Sequence, residues 1–158
     1  NLWFEYELFC SVNMWFCLWL LSETGAAVFR VEPSVLKAED RWDGFGFLGT
    51  SDLQKCYDQR VRFTPKEIQL GADLWNAYRK NDHERLIELS KAEQDRFPYL
   101  AEVVEAAVER DTRPAEIVAE IQFEGKTEFD DIFAEFKRRA GVYGYGNLQV
   151  QRIIEGIA

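Results

Sequence analysis

Histidine is the scarcest chemistry-bearing residue of this chain: His83 stands alone among 158 residues. A nucleophile–histidine arrangement therefore has one possible base. His83 sits in NDHER at a helix start, reads as solvent-exposed, and has no recognisable Ser or Cys motif to partner it. Cysteine is nearly as sparse. Three residues are an odd and small number for a disulfide framework, which fits a reducing cytoplasm. Cys10 and Cys17 lie seven apart with no ligating His nearby, so they read as small buried hydrophobes and no metal is assigned. Positive charge is also short: 19 Lys and Arg against 28 Asp and Glu leave a formal charge of −9. That balance argues against attraction to a nucleic-acid backbone or an anionic membrane surface. No apolar run reaches the roughly twenty residues needed to span a bilayer. Leu8 to Leu21 comes nearest, but Glu5 and Glu7 precede it where a signal peptide would carry basic residues. The chain does not begin with Met, and its first residues look like the inside of a strand, so a piece of a longer protein is expected.

Aromatic residues, by contrast, are plentiful. Twenty-three Trp, Tyr and Phe side chains supply a packed core and make disorder an unsuitable reading. Asn1 to Tyr6 is rich in strand formers, Leu8 to Leu21 has the look of a buried helix, and Gly25 stops it. Ala26 to Val31 (AAVFRV) is a second short strand, closed by Glu32-Pro33. Strand, helix and strand in this order predict a βαβ piece of a parallel sheet. Val35 to Arg41 is mixed, WDGFGFLG is a glycine-rich loop, and Ser51 to Arg60 reads as a helix with Ser51 and Gln54 in capping-box spacing. TPKE at residues 64–67 combines an N-cap Thr, a first-turn Pro and a reciprocating Glu. The helix it opens carries Ile68, Leu70, Leu74, Trp75 and Tyr78. Asp82 caps the next, and Tyr99 to Glu109 follows. Ala115–Gln122, Glu128–Ala140 and Asn147–Ile157 complete a helical half with a helix-turn-helix-like end, in which Val150, Ile153, Ile154 and Ile157 face inward. The expected fold is α+β and predominantly helical. Residues 1–32 form the tail of an α/β domain, 33–63 a loop-rich connector and 64–158 a helical domain.

Three stretches invite a chemical reading. Gly44, Gly46 and Gly49 spell GxGxxG, but a charged AEDRWD precedes them where a dinucleotide fingerprint needs a buried strand. Glu5 and Glu7 are two apart at the carboxyl end of a strand, where ligands of open α/β sheets gather. There they suit a divalent cation, an acid–base pair, or, more simply, a cap favouring the dipole of the following helix. Near the other end, GVYGYGN joins two helices, Asn147 can cap the second of them, and Gln149 and Arg152 share an exposed face. Five basic residues are balanced by five acidic ones from Lys126 onward, which weakens a DNA-reading role.

LWFEYELFCSVNMWFCLWLL and YGYGNLQVQRIIEGI together resemble an uncharacterised bacterial family, the domain-of-unknown-function family numbered 1835. Its corresponding segments read like WFEHDLFCQ and GFGDLQ. GFGFLGTSDLQ, LWNAYRKND and FPYL resemble it in kind, so the likeness covers most of the chain. The resemblance implies an additional N-terminal α/β portion and no established activity. Trp3, Phe4, Glu5, Glu7 and Asn147 fall on its recurring positions. Tyr6 stands where His is common, and Glu7 and Asn147 stand where Asp is common, so any chemistry of a His-Asp pair would differ here.

The candidate ligand-binding set is thus Glu5, Glu7, Tyr6, Trp3 and Asn13, and the candidate partner-binding set is Asn147, Gln149 and Arg152. No catalytic residue and no cofactor is assigned, and enzyme status stays open. The leading expectation is a cytoplasmic regulatory or protein-binding module whose partner is another protein or a second copy. The alternatives are a metal- or nucleotide-dependent enzyme centred on Glu5 and Glu7, and DNA binding through the C-terminal unit.

Overall fold

The computed structural model describes residues 1–34, 40–92 and 95–156. Val35 to Glu39, within the mixed segment, and Ile157 lie outside them. Strand β1 (Leu2–Trp3) leads into helix α1 (Leu8–Leu21), and β2 (Phe29–Val31) returns parallel to β1, with Leu2 opposite Arg30 and Trp3 opposite Val31. The βαβ piece is therefore present, in a predominantly helical α+β fold. Its strands are shorter than their composition suggests. Pairing stops at Trp3, and the chain bends at Tyr6 and Glu7 to enter the helix.

Helix α2 (Thr50–Asp58) corrects one expectation. It starts a residue before Ser51 with Gly49 as N-cap, so the Ser51–Gln54 box does not form, and Gln54 instead donates to Asp58 at 2.9 Å. A strand that the sequence reading did not contain follows. β3 (Val61–Arg62) runs antiparallel to β2, and the N–H of Phe63 donates to the carbonyl of Val28 at 2.9 Å. The sheet is thus mixed, in the order β1-β2-β3.

The TPKE reading holds in detail. Helix α3 (Pro65–Tyr78) opens with Thr64 Oγ1 accepting from the Glu67 N–H at 3.2 Å, while Glu67 accepts from the Thr64 N–H at 2.7 Å. Asp82 caps α4 (His83–Leu89) by accepting from the Arg85 N–H at 3.1 Å. Helices α5 (Leu100–Glu109), α6 (Arg113–Phe123) and α7 (Phe129–Ala140), a 3₁₀ turn (Gly141–Tyr143) and α8 (Asn147–Ile154) complete the order. Asn147 does not cap α8. Gly146 holds that position, Gln149 accepts from its N–H at 3.1 Å, and Asn147 Oδ1 takes the Leu148 N–H at 2.8 Å.

One core runs from Leu8 to Val150, and Trp15, Leu18, Leu74, Ile121 and Val150 are fully enclosed in it. Burying each such side chain contributes about 1.5–3 kcal/mol. Helix α1 packs chiefly on α3, and its buried residues are Leu8, Ser11, Met14, Trp15 and Leu18. It is not buried all round, as its composition implied: Phe9 is 70% and Leu20 53% exposed. Among the described residues no helix is long and apolar enough to cross a membrane.

Candidate functional site

The bend after β1 places Glu7 as the N-cap of α1 in an extended conformation. Its two carboxylate oxygens accept from the N–H groups of Phe9 at 2.5 Å and Cys10 at 2.8 Å. The capping role considered for the pair therefore belongs to Glu7. Those bonds satisfy two of the donors that every helix leaves unpaired at its start, and they place a negative charge at the positive end of the dipole.

Glu5 is engaged differently. Its carboxylate reaches forty residues along the chain and accepts from the N–H of Phe45 at 2.7 Å. Gly44, beside it, has a φ of +65°, and a Cβ there would overlap the Glu5 carboxylate. Among the described residues, turn and bend residues at 41–43 immediately precede this GxGxxG stretch, not a strand. The anion that the loop meets is the chain's own Glu5. Gly144, near the other end of the chain, does the same for Glu7: its φ is +68°, and a Cβ would overlap the Glu7 carboxylate. Left-handed backbone and close approach are both conditions that favour glycine.

Between these contacts lies a cleft of about 750 Å³. Its lining joins Glu5 and Glu7 to Asp40, Trp42 and Asp43 of the glycine loop. The end of α7 and Tyr145 of the C-terminal turn complete it. Among the described residues of this lining, carboxylates outnumber cations four to two, the cations being Lys137 and Arg138. Both cations already have acidic neighbours, Asp43 at 3.8 Å from Lys137 and Glu135 at 2.6 Å from Arg138. Phe136 and Tyr145 stack with ring centroids 6.1 Å apart, giving the cleft an aromatic wall. A second concavity of about 720 Å³ lies between Leu21, Arg62 and Ile68, with Arg62 the one charged side chain among its described lining residues.

Burial is the largest influence on Glu7 and raises its carboxyl above the ordinary value near 4.5. The bonds from Cys10 and Phe9 oppose that rise, and the charge of Glu5 adds to it. Cys10 is half-buried, and its thiol lies against the carboxylates. Burial first, then the bond to Glu7 and its charge, push the thiol up to about 12. It stays protonated at neutral pH and is no nucleophile in this setting. One ligand atom each from Glu5, Glu7 and Cys10 lie within 4.8 Å of one another, a placement that reading Cys10 as a buried hydrophobe had missed.

The other candidates lie elsewhere. Tyr6 is buried away from the cleft lining: its hydroxyl donates to the Pro33 carbonyl at 3.3 Å, and its ring meets Arg30 and Tyr99. Burial raises that hydroxyl well above the usual tyrosine range. Trp3 stacks on Tyr57 with a 6.2 Å centroid separation. Asn13 donates to the Phe9 carbonyl of its own helix at 2.7 Å. Asn147, Gln149 and Arg152 are exposed on α8 and do not line the cleft. Trp42, Asp43 and Tyr145 were not in the sequence-predicted sets. Their one signal was proximity to glycines of unusual backbone, in DGFG and YGYGN. No known family model, no curated protein and no solved structure matches this chain.

Proposed function

We propose that the chain is a protein-binding module whose cleft receives a basic side chain of its partner. The observation that carries this is the pairing of carboxylates with aromatic walls in one open cleft, on a chain of net charge −9. Carboxylates and ring faces both attract a guanidinium or ammonium group, and the overall field steers a basic partner inward. The segments FEYE and YGYGN supply Glu5, Glu7, Gly144 and Tyr145 of the lining. The test is a titration of Trp fluorescence with a short peptide bearing one arginine between leucines, against the same peptide with neutral citrulline. The arginine peptide should bind roughly tenfold tighter or better, and Glu5→Gln should remove the difference. Equal affinities, or no binding of either peptide by a protein that also retains no partner in pull-downs, would overturn the proposal.

A second reading, a divalent-cation-dependent enzyme, rests on the approach of Glu5, Glu7 and Cys10 within 4.8 Å. The mixed oxygen and sulfur donors suit Zn²⁺ better than Mg²⁺. Against it stand the N–H bonds already taken up by Glu7 and the positive end of α1 beside it. A thermal shift series with Zn²⁺, Mn²⁺ and Mg²⁺ decides. Stabilisation by Zn²⁺ that is lost in Glu5→Gln supports this reading, and an unchanged midpoint with every metal ends it.

A further inference from the structure

Two non-glycine residues among those described hold a positive φ, Asn81 and Tyr99. Asparagine in a turn adopts this backbone readily, and Asn81 sits in one. Tyr99 is the exception. It starts α5 at φ +61° and ψ 18°, where a side chain crowds the following carbonyl and glycine would not. The capping position itself does not ask for tyrosine. The Tyr99 carbonyl accepts from the Val103 N–H at 3.0 Å, and its side chain makes no capping bond. Backbone strain of this kind persists only where the surroundings hold it, and it gathers at functional sites. The reason for tyrosine therefore lies in its ring.

That ring stands where distant segments meet. It touches Tyr6 edge-on with centroids 5.3 Å apart, and Trp42 with centroids 5.5 Å apart. The Arg41 guanidinium lies 4.9 Å from the Trp42 centroid and 5.7 Å from that of Tyr99. Arg41 also pairs at 2.9 Å with Glu102, in the first turn of α5. From the 3₁₀ turn after α7, Gly141 comes so close that a Cβ there would lie 2.8 Å from Trp42 Cδ1. Trp42 is thereby clamped between the start of α5 and that turn, although residues 41–43 of its own loop are only turn and bend. Trp42 lines the cleft with Glu5 and Glu7, and Tyr6 joins those two acids in the chain. One ring thus braces both the bend that carries the acids and the indole that shares the lining with them. A loop side chain that becomes ordered only on binding takes affinity away, and one already fixed does not. We infer that Tyr99 is a positioning residue of the cleft. Its ring fixes Trp42 and the bend at Tyr6 before a partner arrives, and the left-handed backbone is what puts the ring there. This rests on the reading of the cleft as the seat of a basic side chain.

The test pairs a binding measurement with a spectroscopic one on the whole chain. Fluorescence anisotropy of a dye-labelled arginine peptide gives the affinity. Fluorine NMR of the fluorotryptophan-labelled protein, with the Trp42 signal assigned by its loss in Trp42→Phe, reports the setting of the indole. Tyr99→Gly should weaken the arginine peptide roughly tenfold and shift or broaden the Trp42 signal. Glycine suits both left-handed backbone and a capping position, so α5 should persist, as circular dichroism will verify. Tyr99→Phe keeps the ring and should bind within about twofold of wild type, with the Trp42 signal in place. Glu102→Gln releases Arg41 from α5 at a half-exposed position, and should weaken binding about threefold. That variant decides alone if the glycine variant fails to fold. Wild-type affinity in Tyr99→Gly would overturn the inference, as would wild-type affinity with an unmoved Trp42 signal in Glu102→Gln, or loss of binding in Tyr99→Phe. Each of those outcomes removes the inference and leaves the reading of the cleft standing. Should wild type bind neither the arginine nor the citrulline peptide, that reading falls and the inference with it.

Discussion

Glu7 and Glu67 are two glutamates buried to the same degree, each 6% exposed, and at the start of a fourteen-residue helix Glu7 holds two backbone N–H groups and Glu67 one. Their surroundings differ completely. Glu67 closes a box with Thr64, taking its N–H at 2.7 Å and its hydroxyl at 2.8 Å, so among the described residues its carboxylate is held within one helical turn. Glu7 caps its helix too, but Gly144 presses on it from 137 positions further along, and Glu5 and Cys10 crowd the same point. Depth of burial and a capping role thus do not mark a site. What separates the two is convergence, one carboxylate being sealed by its neighbours in sequence and the other exposed to distant parts of the chain across a cleft.

The strongest way to break this contrast is at Gly144. Gly144→Ala should cost roughly 2–4 kcal/mol, combining left-handed backbone strain with displacement of a helix cap. Gly25→Ala, at the same φ of +68° but with open space around its Cβ, should cost roughly 1–2 kcal/mol. Denaturant unfolding of both variants checks the difference, and equal losses would show that contact with Glu7 contributes nothing.

Next in size is the local box. Thr64→Ala should remove about 1 kcal/mol and leave peptide binding at the cleft unchanged, measured by the same unfolding and fluorescence titrations. A loss of binding would show that the two helix starts are coupled.

A smaller effect should appear with pH. Since the folded Glu7 carboxyl is raised above its ordinary value near 4.5, the fold favours its neutral form. Its contribution is full below the unfolded value and is lost as pH rises through the raised folded value. Wild type should therefore gain stability relative to Glu7→Gln as pH is lowered from neutrality toward the ordinary carboxyl value near 4.5. A difference independent of pH would remove the burial argument for Glu7. Asn147→Ala, at an exposed side chain that takes the next N–H, should stay within about 0.5 kcal/mol of wild type.

What was legible in the sequence follows the same local-versus-distant division. The limits of α1, the TPKE box and the Asp82 cap were readable because each is decided within a few residues by periodicity or capping chemistry. β3 was not, since Val61 and Arg62 are both exposed and two residues carry no alternation. Ser51 misled because its helix begins one residue earlier, at Thr50. In the cleft, Glu5 and Glu7 stood out as paired acids beside a helix start. Trp42 and Tyr145 did not, because nothing local records that Gly44 and Gly144 lie against the same pair of carboxylates.

The closing of Gly144 over Glu7 also sets an order of assembly. Helix α1 is made well before the turn that completes its capped end. Contacts of such long sequence separation form late, after loop-closure entropy has been overcome. During that interval the first turn of α1 holds its cap without the backbone that later seats it, and the cleft has no far wall. Competence to bind should therefore appear as a distinct, late step in refolding, resolvable as a lag between the rise of helical signal and the recovery of the Trp42 environment.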